Sequence, residues 1–237
     1  MADRFVYCDL DGPSGGSGTR SSPYNGLTDM QTDETVKDLV TNTRILTVYL
    51  KGNAGGTDSA TFAMSGWTTN DNYYLKIKCW PGYEGSAATG TQPRLRAATG
   101  HVVQVESGEK LVIEGIEINV ESSNSSSECV RVPEDSTFEA RGCHFRGRQS
   151  ASVSDQDAIY LNGPTGGGYN GVVTAENCLF TGFGRGGVNV QNHSTGVSSA
   201  STLTANVDSC LFRECNRNTS EGVGGGVIGY VRDADMT

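Results

Sequence analysis

The sequence predicts an all-β parallel solenoid of about five to six storeys, and three observations carry that prediction. Four segments share one apolar template, a short strand-like triplet recurs at near-constant spacing, and glycine supplies 32 of 237 residues. That glycine share is about twice the usual roughly 7%, without the three-residue period of collagen. Many short turns joining short strands account for it. With 35% apolar residues in dispersed runs, wholesale disorder is excluded, and the length suits one domain or one repeat array.

The template spans Leu111–Ile118, Phe138–Phe145, Val173–Phe180 and Ala205–Phe212. Its positions one, three, six and eight read Leu111, Ile113, Ile116, Ile118, then Phe138, Ala140, Cys143, Phe145. The next two copies read Val173, Ala175, Cys178, Phe180 and Ala205, Val207, Cys210, Phe212. All are apolar, whereas the positions between them are apolar only at Val112, Leu179 and Leu211. Alternation marks one buried strand face. The slip between positions three and six would turn that face outward unless the chain bends there. The bends fall at Glu114-Gly115, Arg141-Gly142, Glu176-Asn177 and Asp208-Ser209, and glycine and asparagine tolerate the left-handed backbone that such corners need.

A third strand precedes each bend: Val103–Val105, Val130–Val132, Ile159–Leu161, Val188–Val190 and Val227–Gly229. Their first residues lie 27, 29, 29 and 39 apart. Three strands per 27 to 29 residues make one turn of a parallel solenoid, with storeys stacked at about 4.8 Å. Ile116, Cys143, Cys178 and Cys210 then form an interior column, which accounts for these cysteines without chemistry. Leu46/Val48/Leu50, Phe62/Met64, Leu75/Ile77 and Leu95/Ala97 supply less regular lower storeys, and a helical piece at about Asp33–Val40 presents Val36, Leu39 and Val40 to the open bottom. The expected division is a cap at 1–44, coils at 45–231 and a polar tail at 232–237. A hexapeptide helix lacks its period here, and a β-sandwich would not produce the 27/29/29 spacing.

With Tyr7-Cys8-Asp9-Leu10-Asp11-Gly12, Gly18-Thr19-Arg20-Ser21-Ser22-Pro23-Tyr24 and Leu46–Gly52 leading into these coils, the whole chain resembles the right-handed parallel β-helix of the pectate-lyase-like superfamily. The resemblance implies that fold and not one activity. Its polysaccharide lyases use clustered carboxylates, often with calcium, and an arginine or lysine base. It also includes phage tailspikes and virion decoration proteins.

A formal net charge of −9 with no basic tract disfavours nucleic acid. Met1–Tyr7 lacks the features of a signal peptide, and no apolar run approaches a membrane span. The seven cysteines include no CxxC pair and the three histidines stand far apart, so no metal site and no cofactor are expected. The Asp9-Leu10-Asp11-Gly12 run lacks the later ligands of a calcium loop and reads as a turn.

Insertions point to function, because loops on rigid scaffolds carry it. The distance from third strand to corner residue is 13 residues in the first two regular storeys, then 19 and 22. The additions fall at 163–170 and 192–201, with another at 213–224. Were the chain an enzyme, Asp155, Asp157 and Arg185 would converge beside these loops, and Glu176 with Asp208 would form a carboxylate pair on adjacent storeys. For binding, Gln104, Arg131, Tyr160 and Asn189 form one outward column, with Tyr169 and His193 in the loops above. The sequence lacks the Asp-Asp, His-Gly and Arg-Ile-Lys fragments of polygalacturonases. The expectation is a non-enzymatic structural protein of a tailed-phage virion, either capsid decoration or tail attachment. It would assemble in the host cytoplasm and contact other virion proteins or copies of itself, with surface glycans as a further contact. The alternatives are a polysaccharide lyase or glycosidase acting on acidic polysaccharide, and a stand-alone glycan-binding module.

Overall fold

A computed structural model describes residues 3–35, 37–52, 61–83, 92–122, 127–148, 156–163, 170–192, 202–215 and 226–231. Three parallel sheets run the length of the described chain. The first stacks Arg4–Asp9, Leu46–Lys51, Leu75–Cys79, Lys110–Glu114, Thr137–Arg141, Asn170–Glu176 and Thr202–Asp208. The second stacks Arg94–Ala97, Glu117–Val120, His144–Arg146, Leu179–Thr181 and Leu211–Arg213. The third stacks Phe62–Ala63, Val103–Gln104, Val130–Val132, Ile159–Gly163, Val188–Asn192 and Val227–Val231. The chain visits third, first and second sheet in turn, and each visit pairs in parallel with the previous one. This is a parallel β-helix. No described helix is long and apolar enough to cross a membrane.

The template registers as its spacing requires. Leu111, Phe138, Val173 and Ala205 are direct neighbours in the first sheet, as are Ile118, Phe145, Phe180 and Phe212 in the second. The last three rings stack nearly parallel, with centroids 4.9 and 4.7 Å apart. At the bends, Gly115, Gly142, Asn177 and Ser209 have φ of 67, 59, 53 and 53°. The chain thus takes the left-handed corner in all four copies, whichever residue stands there.

The cysteine column explains itself at atomic detail. The thiol of Cys143 donates to the carbonyl of Ile113, that of Cys178 to Ala140 and that of Cys210 to Ala175, at 3.4, 3.6 and 3.4 Å. Each therefore reaches the third template residue one storey below. A cysteine here fills a small apolar volume and also supplies a weak donor to a corner carbonyl.

The bottom of the coil is closed by the N-terminal stretch, which also contributes the lowest strand of the first sheet. Tyr7 N–H donates to the Gly18 carbonyl, Asp9 N–H to Tyr24, and Tyr24 N–H to Tyr7, so the edge of Arg4–Asp9 is paired rather than bare. The helix occupies Leu27–Asp33, earlier than the expected 33–40. Leu27 and Met30, one turn apart, bury one face of it, while Leu39 is buried from a turn instead. Val36 lies outside the described residues. Asp9 is a turn and ion-pair residue: its carboxylate accepts from the Asp11 N–H and meets Lys51 Nζ at 2.9 Å.

Two stability predictions follow from the corners and the column. Asn177→Ala should cost about 1–2 kcal/mol, because it places an ordinary side chain at φ 53°. Cys143→Asp should cost several kcal/mol by burying a carboxylate, whereas the half-exposed Arg141→Ala should cost under about 1 kcal/mol. Urea unfolding of the three variants tests the ranking, and equal losses would contradict it.

Candidate functional site

Residues preceding and within the third sheet build an interlocked and largely buried cluster of polar groups. The turn into this sheet repeats once per storey, so it stacks as the strands do. Val102 N–H bonds to the Glu128 carbonyl, Val130 N–H to Ala158 and Ala158 N–H to Gly186, which places His101, Glu128, Asp157 and Arg185 on successive storeys. One strand position further along, Gln104, Arg131, Tyr160 and Asn189 are direct neighbours, as their spacing anticipated. Two outward columns thus lie side by side.

Their side chains interlock. Asn189 donates its amide to Asp157 Oδ2 at 2.7 Å, and Arg185 Nη1 lies 3.6 Å from the same oxygen. Asp157 and Asn189 are almost wholly buried, whereas the Arg185 side chain stays 26% exposed. Asp157 Oδ1 and Asn189 Oδ1 have no hydrogen-bond partner among the described residues. Burial pushes the Asp157 carboxyl up to about 7, against the pull of the Asn189 hydrogen bond and the Arg185 charge. Below them Arg131 Nη1 donates to His101 Nε2 at 3.2 Å, and His101 Nδ1 meets the buried Glu128 carboxylate. The backbone N–H of Glu128 also donates to His101 Nδ1, at 3.3 Å. Tyr160 donates to Gln191 Oε1 at 3.0 Å. Burial, with the Glu128 and Asp157 charges, raises the phenol above its ordinary value, so it stays protonated at neutral pH.

The structure therefore brings together Asp157, Arg185, Arg131, Tyr160 and Asn189. His101 and Glu128 are additions that the sequence reading passed over. Asp155, Tyr169 and His193 lie outside the described residues, but the loops that carry Tyr169 and His193 are anchored on neighbouring storeys. Gly163 pairs with Asn192 where they leave, and Asn170 with Thr202 where they return. Glu176 and Asp208 sit elsewhere, at the far end of the first sheet. They are neighbours there, and Glu176 is engaged by Arg141 Nε at 3.3 Å. Glu176 extends a column of alternating charge, and Asp208 follows it with the same sign.

No family model matches the chain, and no curated protein does. Among solved structures, a rhamnogalacturonan lyase superposes with a TM-score of 0.56 at 13% sequence identity. The match covers 99% of this chain and 63% of the lyase, so the chain spans less than two thirds of that protein. The likeness is one of fold. It agrees with the parallel β-helix expected from the coil spacing.

Asp157 makes stability depend on pH. Its ordinary value is 3.8 and its folded value about 7, so between these the native state holds a proton that the unfolded chain has lost. Stability should fall as pH rises through that window, by a few kcal/mol at most. Asp157→Asn removes the titration. Its stability relative to the parent should rise between pH 5 and pH 8 in urea unfolding, and identical pH slopes for both proteins would refute the assignment.

Proposed function

We propose that the protein is a structural β-helix of a tailed-phage particle, and that its third-sheet face contacts surface glycans. The observation that carries the glycan reading is the pair of interlocked columns. Asp157 and Glu128 lie buried beneath the face, and partly exposed Arg131, Tyr160 and Arg185 lie at its surface. Asp157 holds the Arg185 guanidinium and Glu128 holds the His101 ring, which in turn accepts from Arg131, so the donors are oriented before a ligand arrives. A phenol between two arginines offers one ring face to a sugar and forks of N–H donors to its hydroxyl or carboxylate oxygens.

A contact surface accounts for this arrangement better than a bond-cleaving centre. Asp157, the group whose proton is poised near neutrality, is 1% exposed and already engaged by Asn189 and Arg185. The particle setting draws on the acidic composition and on apolar surface at the last described storey. Val227, whose equivalent Val188 is buried one storey below, is 49% exposed there, which suits association with another subunit.

Tyr160→Ala should lower affinity for a bound surface polysaccharide at least about tenfold, as expected for losing an aromatic anchor, with little change in melting temperature. The probes are purified capsular polysaccharides and lipopolysaccharide O-chains, read by titration calorimetry. Absence of binding across the panel, or binding indifferent to Tyr160→Ala, would overturn the glycan reading. Sedimentation of the parent protein should show multimers, and a monomer at high concentration would overturn the particle reading.

A further inference from the structure

The outward face of the second sheet differs from the rest of this acidic molecule. Its five strands present Arg94, Arg96, Glu117, Asn119, His144, Arg146, Leu179, Thr181, Leu211 and Arg213 outward, alternating with buried Leu95, Ile118, Phe145 and Phe180. Four arginines face a single carboxylate, in a chain whose formal net charge is −9. This carboxylate engages Arg94 most closely, with Nε 2.8 Å from Glu117 Oε1, and Arg146 Nη1 lies 4.0 Å from the same oxygen. Burial lowers the His144 pKa, so that ring adds no positive charge at neutral pH.

The remaining three arginines are in register. Arg96, Asn119, Arg146, Thr181 and Arg213 are successive direct neighbours up the sheet. A guanidinium therefore emerges at every second storey, at intervals of about 9.5 Å, with a neutral polar residue at each storey between. The Arg146 side chain is 48% exposed and 4.0 Å from the nearest carboxylate oxygen, and Arg213 is exposed. Arg96 is held only loosely, 3.4 Å from the exposed Glu121. Beside the arginines, Leu179 and the half-exposed Leu211 add apolar surface at the upper storeys.

We propose that this arginine ladder is a second binding site, for a linear polysaccharide that carries one acidic group on every second sugar. One storey is about the length that one sugar adds to an extended chain, so alternate acids meet successive arginines. The neutral sugars then lie over Asn119 and Thr181, which neither repel nor require a charge. Single-stranded nucleic acid fits worse. It carries a charge on every nucleotide and is held by aromatic stacking platforms, and no Phe, Tyr or Trp points outward from these five strands.

The proposal stands apart from the third-sheet face, and the experiment keeps the two separate. The full chain is titrated with hyaluronan decasaccharide, whose uronate recurs at alternate sugars. The comparison probes are an oligogalacturonate of equal length, a neutral dextran oligomer and oligo-thymidylate. Hyaluronan should bind best and lose at least about tenfold between roughly 50 and 200 mM salt, as an ionic contact requires. Arg146→Ala combined with Arg213→Ala should weaken it by a similar factor, with the melting temperature kept. Arg146→Lys with Arg213→Lys should restore part of the loss, while Arg20→Ala leaves it unchanged. Absent binding, binding indifferent to the double alanine variant, or equal or tighter binding of oligogalacturonate or oligo-thymidylate would overturn the ladder. Loss on Tyr160→Ala alone would assign the ligand to the third-sheet face instead.

Discussion

Parallel in-register hydrogen bonding between storeys governs this molecule. Once one turn of chain pairs with the next, every residue acquires an equivalent above and below at about 4.8 Å, and its side chain must tolerate that neighbour. Inside the coil this selects columns of similar size and polarity. The phenylalanines 145, 180 and 212 lie ring on ring, and the corner cysteines each reach the same carbonyl one storey down. At the bends the same constraint imposes a positive φ on Asn177 and Ser209 as firmly as on Gly115 and Gly142. An ordinary residue in that conformation costs about 1–2 kcal/mol, and Ser209 is retained because the register on both sides fixes the bend.

Outside the coil the constraint acts on charge. Like charges directly opposite one another destabilise neighbouring strands. In the first sheet Lys78, Glu114, Arg141, Glu176 and Asp208 form one column, whose sign alternates as far as Glu176. Lys78 and Arg141 both engage Glu114, and Arg141 engages Glu176 in turn. Such exposed pairs contribute little each, but they remove the repulsion that stacking would otherwise create. The two acids that looked like a catalytic pair in the sequence are the top of this arrangement.

The repeat was legible because its apolar positions recur in phase, and the third-sheet column was legible because it is one residue out of phase with them. The helix was misplaced because Val36, Leu39 and Val40 match a helical face, although Leu39 is buried from a turn while Leu27 and Met30 provide the helical contact. His101 and Glu128 carry neither a strand nor an insertion signal, because they stand in the turns between strands. Yet a signal existed. His101, Glu128 and Asp157 lie 27 and 29 residues apart, the spacing of the coil itself. Polar residues recurring at the repeat period mark an exterior column as surely as apolar ones mark the core. What the sequence could not show is the contact between the two columns, since Asp157 meets Asn189 across a change of storey and of strand position.

The second and third sheets depart from the charge balance of the first, and in physically different ways. On the third sheet the ionisable groups are sunk beneath the surface and satisfied largely by one another, so their cost is desolvation and their return is a fixed geometry. On the second sheet the arginines stand out in water, where desolvation costs little and no geometry is fixed by burial. Spacing them at alternate storeys separates neighbouring charges by about 9.5 Å, close to the screening length of about 8 Å at physiological salt. Repulsion along the ladder is therefore small, and the fold can carry a loosely paired basic stripe on a molecule of opposite net charge. The same interval is the one that the acidic groups of the proposed polysaccharide would have to match.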